Sequence, residues 1–323
     1  MKRIGVLTSG GDAPGMNCAI RGVVRTAIYH GLEIMGIERG YAGLIDGTAE
    51  QLYARSVGGI MNRGGTILRS ARSDEFMTTD GRQRAAENVK RFLIEGLIVI
   101  GGDGTYRGAM ALAEEHGVAC VGVPGTIDND IGGSDYTIGF DTAINTAVEA
   151  IDKIRDTAAS HDRLFVVEVM GRGVGFIALS VGVAGGAEEI LCPETPTDID
   201  AMCRRLELGR KAGKTSSIVV VAEGDETGGA VQVGEQIKEK THFTDVRVCV
   251  LGHLQRGGAP TAYDRIMASR LSSEAVMALI RGEKNVMVAV EKGDVLTRPM
   301  SDAWTIKREL NPHLLELAKK LTV

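Results

Sequence analysis

LIVIGGDGT, residues 97–105, is the stretch from which the fold is read most directly. Leu97, Ile98, Val99 and Ile100 form an unbroken apolar run rich in β-branched side chains. Such a run, without polar alternation, marks a strand buried on both faces, as strands beneath crossover helices are. It ends on Gly101, Gly102 and Gly104, which leave no side chains between the backbone and an approaching ligand. Asp103 is a hard oxygen ligand suited to Mg2+. Thr105 is placed to N-cap the next helix or to bond a phosphate. A strand that feeds a glycine turn and then a helix presents backbone N–H groups to an anion, so the stretch reads as a nucleotide-phosphate site rather than a plain turn.

The pattern recurs along the chain. Apolar runs at 4–7, 33–37, 119–123, 164–169, 189–192, 218–222, 246–251 and 286–290 are further candidate strands. Helical patterns lie between them. In 140–156, Phe140, Ile144, Ala147, Val148, Ile151 and Ile154 form one stripe, and Glu149 is spaced to pair with Lys153. Further helices are expected at 263–280 and at 312–321, the latter with Pro312 in its first turn. Strands alternating with helices imply parallel sheets joined by crossovers. So many strands, in a chain of 323 residues, imply two α/β domains rather than one core. No Pro- or Ser-rich linker separates them, so the chain is expected to cross between domains more than once. Ligands in such folds bind beyond the carboxyl ends of the strands.

Composition narrows the function. A net charge of -5 argues against a general basic face for nucleic acid, while leaving room for small clusters that hold anionic ligands. No apolar run reaches the ~18 residues of a membrane span, and the start of the chain does not read as a signal peptide. The five cysteines (Cys18, Cys120, Cys192, Cys203 and Cys249) show no metal spacing, so reduced thiols in the cytoplasm are expected. Glycine is the outlier: 43 of 323 residues is about 13%, near twice the usual ~7%.

The other polar clusters also follow candidate strands. Residues 8–17, TSGGDAPGMN, form a second glycine-rich strand-to-helix turn. Residues 124–130, PGTIDND, follow the run at 119–123. If that segment is extended, Thr126, Asp128 and Asp130 share one face, where two carboxylates need a cation, a proton or a substrate between them. Phosphoryl transfer to an alcohol needs a carboxylate to take the hydroxyl proton, and Asp128 suits that role. Among scattered arginines, Arg172 in MGRGVG and Arg256 in GHLQRGG are the best phosphate clamps. His253 fits a substrate hydrogen bond better than a second general base.

Taken in order, LTSGGDAPGMN, YAGL, NRGGT, GGDGT, PGTIDND, DKIRDT, EVMGR, VVAEG and LGHLQRGG resemble the bacterial ATP-dependent 6-phosphofructokinase family across essentially the whole chain. The resemblance implies two doubly wound α/β domains with mostly parallel sheets. An ATP-binding domain would take 1–138 plus about 256–303, and a sugar-phosphate domain about 139–255 plus 304–323. It implies a cytoplasmic homotetramer, without nucleic-acid or membrane partners, that moves the γ-phosphoryl group of ATP to the 1-hydroxyl of fructose 6-phosphate with Mg2+. By motif position, Asp128 matches the catalytic base, with Asp130 beside it. Gly11, Arg72, Ser73, Gly102, Asp103, Gly104 and Thr105 match the ATP site, with Asp103 on the metal. Thr126 and Arg172 match groups that stabilise the moving phosphoryl. Thr126, Ile127, Asp128, Met170, Gly171, Arg172, Glu223, His253, Leu254, Gln255 and Arg256 match the sugar-phosphate site. Arg163 and Arg247 match arginines that reach into a neighbouring subunit.

Pyrophosphate-using relatives typically carry Asp at the position of Gly104 and Lys at that of Gly125, side chains that would crowd the α-phosphate of ATP. Glycine at both favours ATP over the alternative of a pyrophosphate-dependent or other sugar-phosphate kinase. A silent sensor would be expected to lack Asp103 or Asp128. Arg21, Arg25, Arg155, Gly186, Glu188 and Lys214 match the family's effector site for ADP or phosphoenolpyruvate. There the chain departs from the pattern at Ala54, Gly59, Ala212 and Ser216. Lost cations should weaken control by a multiply charged effector, each charge-assisted bond being worth about 1.5–3 kcal/mol.

Overall fold

In chain order the elements are β1 (Arg3–Thr8), α1 (Met16–Tyr29), β2 (Glu33–Ile37), α2 (Gly40–Asp46), β3 (Ala49–Leu52), α3 (Thr79–Arg91), β4 (Gly96–Gly101), α4 (Asp103–His116), β5 (Cys120–Pro124) and α5 (Phe140–Ala159). They continue with β6 (Leu164–Val169), α6 (Phe176–Ala184), β7 (Glu189–Leu191), α7 (Ile199–Lys211), β8 (Ser217–Ala222), α8 (Gly229–Lys240) and β9 (Val246–Val250). The last are α9 (Ala262–Ile280), β10 (Val286–Glu291), β11 (Asp294–Pro299), α10 (Asp302–Thr305) and α11 (Pro312–Leu321). These come from a computed structural model that describes residues 1–160 and 163–321. The chain divides into two units. The first holds Met1–Ile127, Ile131–Thr142 and Arg256–Arg308; the second holds Asp128–Asp130, Ala143–Gln255 and the described residues from Glu309 on.

The first unit has a sheet of order β11-β10-β5-β4-β1-β2-β3, parallel through its centre and antiparallel at both edges. The apolar run at 97–100 is its buried central strand, β4. The edge strands β3 and β11 have no apolar run, because an edge strand has only part of its surface covered and its residues stay partly exposed. A search for continuous apolar runs therefore passes over them. On one face Leu7, Leu97, Val99 and Cys120 pack with Tyr41, Val89, Tyr106 and Ala109 from α2, α3 and α4. Alternation turns Ile98 and Ile100 the other way, toward the side where α1 and α9 pack against each other and the strands.

Register fixes what this sheet offers. Thr8 is level with Ile100, and Gly101 with Pro124. Ser9 N–H then donates to Ile100 O at 3.0 Å, and Gly125 N–H to Gly101 O at 3.0 Å. The turns after β1, β4 and β5 therefore leave the sheet side by side at its carboxyl end, where parallel α/β sheets place ligands.

The second unit has a wholly parallel sheet of order β7-β8-β6-β9. Leu164, Val166, Val219 and Val221 pack against Met202 and Leu206 of α7 and Ala230, Val233 and Ile237 of α8. Here too the strand ends are level: Glu223 N–H donates to Val169 O at 2.8 Å and Leu251 N–H to Glu168 O at 3.0 Å. Strand β9 lies at the sheet edge, with Val248 and Val250 exposed. Among the described residues no helix is long and apolar enough to cross a membrane. All five cysteines are free thiols, and burial pushes Cys120 and Cys192 up to about 12.

Helices α1 and α9 approach closely at Gly22 of α1, where a Cβ would stand 1.9 Å from Ser272 Oγ of α9. Gly22→Ala should cost roughly 1–3 kcal/mol of overpacking, more than the ~1 kcal/mol gained from a better helix former. Denaturant unfolding should show that loss, and Gly22→Ala with Ser272→Ala should recover most of it, because the two sites are coupled by contact.

Candidate functional site

The first unit gathers a glycine-lined cradle at the ends of β1, β4 and β5. Its walls are cross-linked through the backbone. Thr8 Oγ1 donates to Arg69 O at 2.7 Å. Asn17 Nδ2 donates to Arg63 O at 3.0 Å, and its Oδ1 accepts from Ile67 N–H at 2.8 Å. The segment 63–70 is thereby tied to the turn after β1. Gly11 lies under the Arg256 guanidinium: a Cβ there would meet Arg256 Nη1 at 2.6 Å, so a side chain would push that group aside. The Arg256 guanidinium in turn donates to Asp12 O at 3.2 Å. Ser73 Oγ accepts from Phe76 N–H at 3.2 Å, and Arg72 beside it is exposed.

Asp103 is the first residue of α4, with Gly102 as its N-cap. The first N–H groups of that helix have no intrahelical partner, and their dipole favours an anion. The Asp103 carboxylate is half-exposed and lies 3.7 Å from Arg107, one turn on. Thr105 departs from the expected role: it is neither the cap nor open to a ligand. It lies inside the first turn, buried, with Oγ1 donating to Ser9 O at 3.1 Å. Gly102 has no side chain, so it leaves the start of the helix open, and Thr105 ties the two strand-end turns together.

The two glycines relevant to the donor differ. A Cβ at Gly104 would meet nothing within 4 Å, so packing does not require glycine there and the space is open to a ligand. A Cβ at Gly125 would lie 3.1 Å from both Ile100 Cγ2 and Met16 Cε, a tight contact to which those two side chains must yield by a few tenths of an ångström.

The segment 124–130 is not extended. Strand β5 stops at Pro124, the backbone bends at Ile127 and Asp128, and Asn129 is left-handed at φ 54. The shared face expected from alternation does not form, because a bend and a positive φ interrupt the period of two. Thr126 and Ile127 belong to the first unit, while Asp128 and Asp130 group with the second. Asp128 is 6% exposed and Asp130 half-buried. The bend is held in place within the first unit: Ile138 N–H donates to Pro124 O at 2.8 Å, and Thr137 Oγ1 to Thr126 O at 2.7 Å.

The second unit carries arginines at both ends of its sheet. Met170 ends β6, and its N–H donates to Gln255 Oε1 at 2.8 Å. Gln255 is fully buried, so it is a brace for Met170 rather than a group open to a ligand, whereas its neighbours His253 and Leu254 are exposed. Arg172 sits between Gly171 and Gly173 in a left-handed conformation, φ 58, with its side chain exposed. Non-glycine residues rarely adopt that backbone, which costs of order 1 kcal/mol and concentrates at functional sites. Its N–H donates to Glu223 at 3.3 Å, and a Cβ at Gly224 would strike Arg172 O at 2.3 Å. Arg163 and Arg247 converge on one carboxylate, Asp245, each at 2.6 Å. Those two guanidiniums, Arg163 first, hold the Asp245 carboxyl below its usual range. The chain pattern contained a trace of this, since 245 and 247 share a strand face, but nothing in it pointed to Arg163 as the second partner.

Of the residues matched to an effector site, three come together in the second unit. Arg155 Nη2 donates to Gly185 O and Gly186 O, both at 2.7 Å, and Nη1 lies 4.0 Å from Glu188. Glu188 also accepts from Ile218 N–H at 2.6 Å. Lys214 packs along Gly209. Arg21 and Arg25 lie on α1 of the first unit, half-buried and exposed respectively.

The profile of the family described as Phosphofructokinase matches residues 3–279. The curated protein named ATP-dependent 6-phosphofructokinase 1 of Thermus thermophilus is 58% identical over 323 residues, covering 100% of both chains. The ATP-dependent 6-phosphofructokinase of Bacillus subtilis is 53% identical with the same coverage. The solved phosphofructokinase of Saccharomyces cerevisiae superposes with a TM-score of 0.91 at 32% identity, over 99% of this chain and 50% of that longer one. A pyrophosphate-dependent phosphofructokinase from Marinobacter aquaeolei superposes at 0.86 with 21% identity, covering 100% of this chain and 92% of that one, which speaks to fold alone.

The glycine contrast predicts opposite stability changes. Gly104→Ala should leave the melting midpoint unchanged or raise it, by up to about 1 kcal/mol of unfolding free energy, since it adds a helix former in open space. Gly125→Ala should lower stability by about 1 kcal/mol or more through overpacking against Ile100 and Met16.

Proposed function

The chain belongs to the phosphofructokinase family, and from that premise we propose that it transfers the γ-phosphoryl group of ATP to the 1-hydroxyl of fructose 6-phosphate, giving fructose 1,6-bisphosphate and ADP in glycolysis. The observation that carries this reading is the level register of β1, β4 and β5, which brings Gly11, Asp103 and Thr126 to one sheet end.

The first unit is the ATP-binding one. Gly11, Gly102 and the open space at Gly104 admit the phosphates against backbone N–H groups, with Arg72 and Ser73 flanking. That same space favours ATP over pyrophosphate as donor. Asp103 fits a Mg2+ site: a half-exposed carboxylate at a helix start suffices for an ion that takes one or two protein carboxylates and completes its shell with phosphates and water. Mg2+ there would neutralise charge on the transferring group. Among the described residues no group of three His, Cys, Asp or Glu side chains forms a metal cage, and a phosphate-bridged ion requires none.

The second unit takes the sugar phosphate through Met170, Gly171, Glu223, His253 and Leu254, with Gln255 bracing Met170, and Arg256 is assigned to the same substrate by its motif. Asp128 accepts the 1-hydroxyl proton as the oxygen attacks phosphorus. Asp130 and Ile127 shape the segment around it. Thr126 and Arg172 donate to the phosphoryl oxygens as charge moves onto them. The positive φ at Arg172 is the backbone cost of presenting that guanidinium beyond the end of β6. Arg163 and Arg247 serve the 6-phosphate of a neighbouring subunit in a homotetramer, and the exposed Val248 and Val250 on edge strand β9 fit a subunit contact. The work is cytoplasmic, where ATP and sugar phosphates are available. Effector control by ADP or phosphoenolpyruvate is weak, because Ala54 and Ala212 stand where the family places cations, and Gly59 and Ser216 alter the matched site further.

Initial rates with fructose 6-phosphate and Mg2+ test the reading, with ATP in one sample and pyrophosphate in another. Bisphosphate forms with ATP only; a rate with pyrophosphate alone would overturn the donor assignment. Asp128→Ala should lower kcat by about 10²–10⁴ with KM values nearly unchanged, since a general base acts in the transition state.

A further inference from the structure

The sequence reading assigned nothing to Asp264. It lies in the first turn of α9 and is 0% exposed. A carboxylate so placed is costly unless donors surround it. Here they do. Oδ1 accepts from the Tyr136 hydroxyl and from Gly139 N–H at 2.6 Å. Oδ2 accepts from Thr142 N–H at 2.8 Å and from Thr142 Oγ1 at 2.5 Å. Burial still pushes the carboxyl above its usual range, with the donors acting against that shift.

The four donors come from one stretch, 136–142, and not from α9 itself. The sequence TAYD at 261–264 has the spacing of a helix capping box, in which the acid turns back to the cap residue. Thr261 does cap, its Oγ1 accepting from Asp264 N–H at 3.2 Å. The Asp264 carboxylate does not return the bond: Thr261 N–H donates instead to Thr142 Oγ1 at 3.1 Å, and Thr261 Oγ1 donates to Asp141 at 2.6 Å. The cap is thus turned outward onto 136–142, the stretch whose Thr137 and Ile138 hold Thr126 O and Pro124 O. The chain of bonds runs from Asp264 to Gly139 and Thr142, and from Thr137 and Ile138 to the bend that begins the segment 124–130.

We propose that Asp264 is a positioning residue for phosphoryl transfer: its carboxylate fixes 136–142, and through it the bend that presents Thr126 and, two residues on, Asp128. This rests on the reading of 124–130 as the catalytic segment. Four donors on two oxygens suit a carboxylate better than an amide, because an amide offers one acceptor oxygen and in either orientation turns its NH2 against the N–H of Gly139 or of Thr142, neither of which can accept.

The test uses the full-length protein and two variants, Asp264→Asn and Tyr136→Phe, the second removing one of the four donors while keeping the ring. Steady-state rates with ATP and fructose 6-phosphate are measured beside amide hydrogen exchange. Misplacement of reacting groups by about 1 Å costs about 100-fold, so Asp264→Asn should lose kcat on that order while both KM values stay within about threefold. Tyr136→Phe should lose about tenfold. Exchange should quicken over 124–142 in both variants and stay unchanged in β4 and α4. A folded Asp264→Asn protein with normal kcat, or one whose KM rises while kcat holds, would overturn the inference. If Asp264→Asn does not fold, Tyr136→Phe decides: normal kcat and unchanged exchange over 124–142 reject it. Absence of ATP-dependent turnover in the unsubstituted protein would instead reject the functional reading, and exchange over 124–142 would still judge the link from Asp264 to the bend.

Discussion

Everything chemical in the first unit depends on three parallel strands ending at the same level. Gly125 N–H reaches Gly101 O and Ser9 N–H reaches Ile100 O only because β1, β4 and β5 are in register to their last residues. A slip by one residue would turn every alternate side chain to the opposite face and carry the polar turns off the common edge. Leu97 and Val99 are buried on one side and Ile98 and Ile100 on the other, so a slip would exchange apolar side chains of different shape between two close-packed faces, and packing rather than polarity opposes it.

Small residues at that edge serve two distinct purposes. Some permit the protein to touch itself. Gly101 lies against Ser9 O and the Thr105 hydroxyl. A Cβ at Gly104 would meet nothing within 4 Å, so packing leaves that position unconstrained. The distinction matters for specificity. A residue that packing forces to be glycine reveals little about substrate, whereas one that packing leaves unconstrained is where selection by substrate can act.

The second unit carries arginines at both ends of its sheet: Arg172 follows the carboxyl end of β6, while Arg163 and Arg247 lie at the amino ends of β6 and β9. Each is placed by a specific acceptor or backbone constraint. Asp245 gathers Arg163 and Arg247, and a strained turn between two glycines presents Arg172. Guanidiniums suit a divalent phosphate because they stay charged and offer forked donors. Exposed groups of like charge would repel one another without a counter-ion, and Asp245 supplies one.

The sequence by itself determined the strand–helix alternation, the central strands and the main helices, expected at 140–156, 263–280 and 312–321, and it suggested roles for Asp103, Asp128 and Arg172. Each of these is local: an apolar run, a period, or a residue type next to a strand end. It did not determine the edge strands β3 and β11, whose partial exposure leaves no apolar run to detect. Nor did it determine that 124–130 bends, because the positive φ at Asn129 and the bonds from Thr137 and Ile138 come from a stretch that returns only after the segment has passed. Thr105, Gln255, Asp245 and Asp264 took their roles from partners 96, 85, 82 and up to 128 residues away. A side-chain hydrogen bond across such separations exists only once the sheets have formed, so tertiary structure alone decided what holds the chemistry in place.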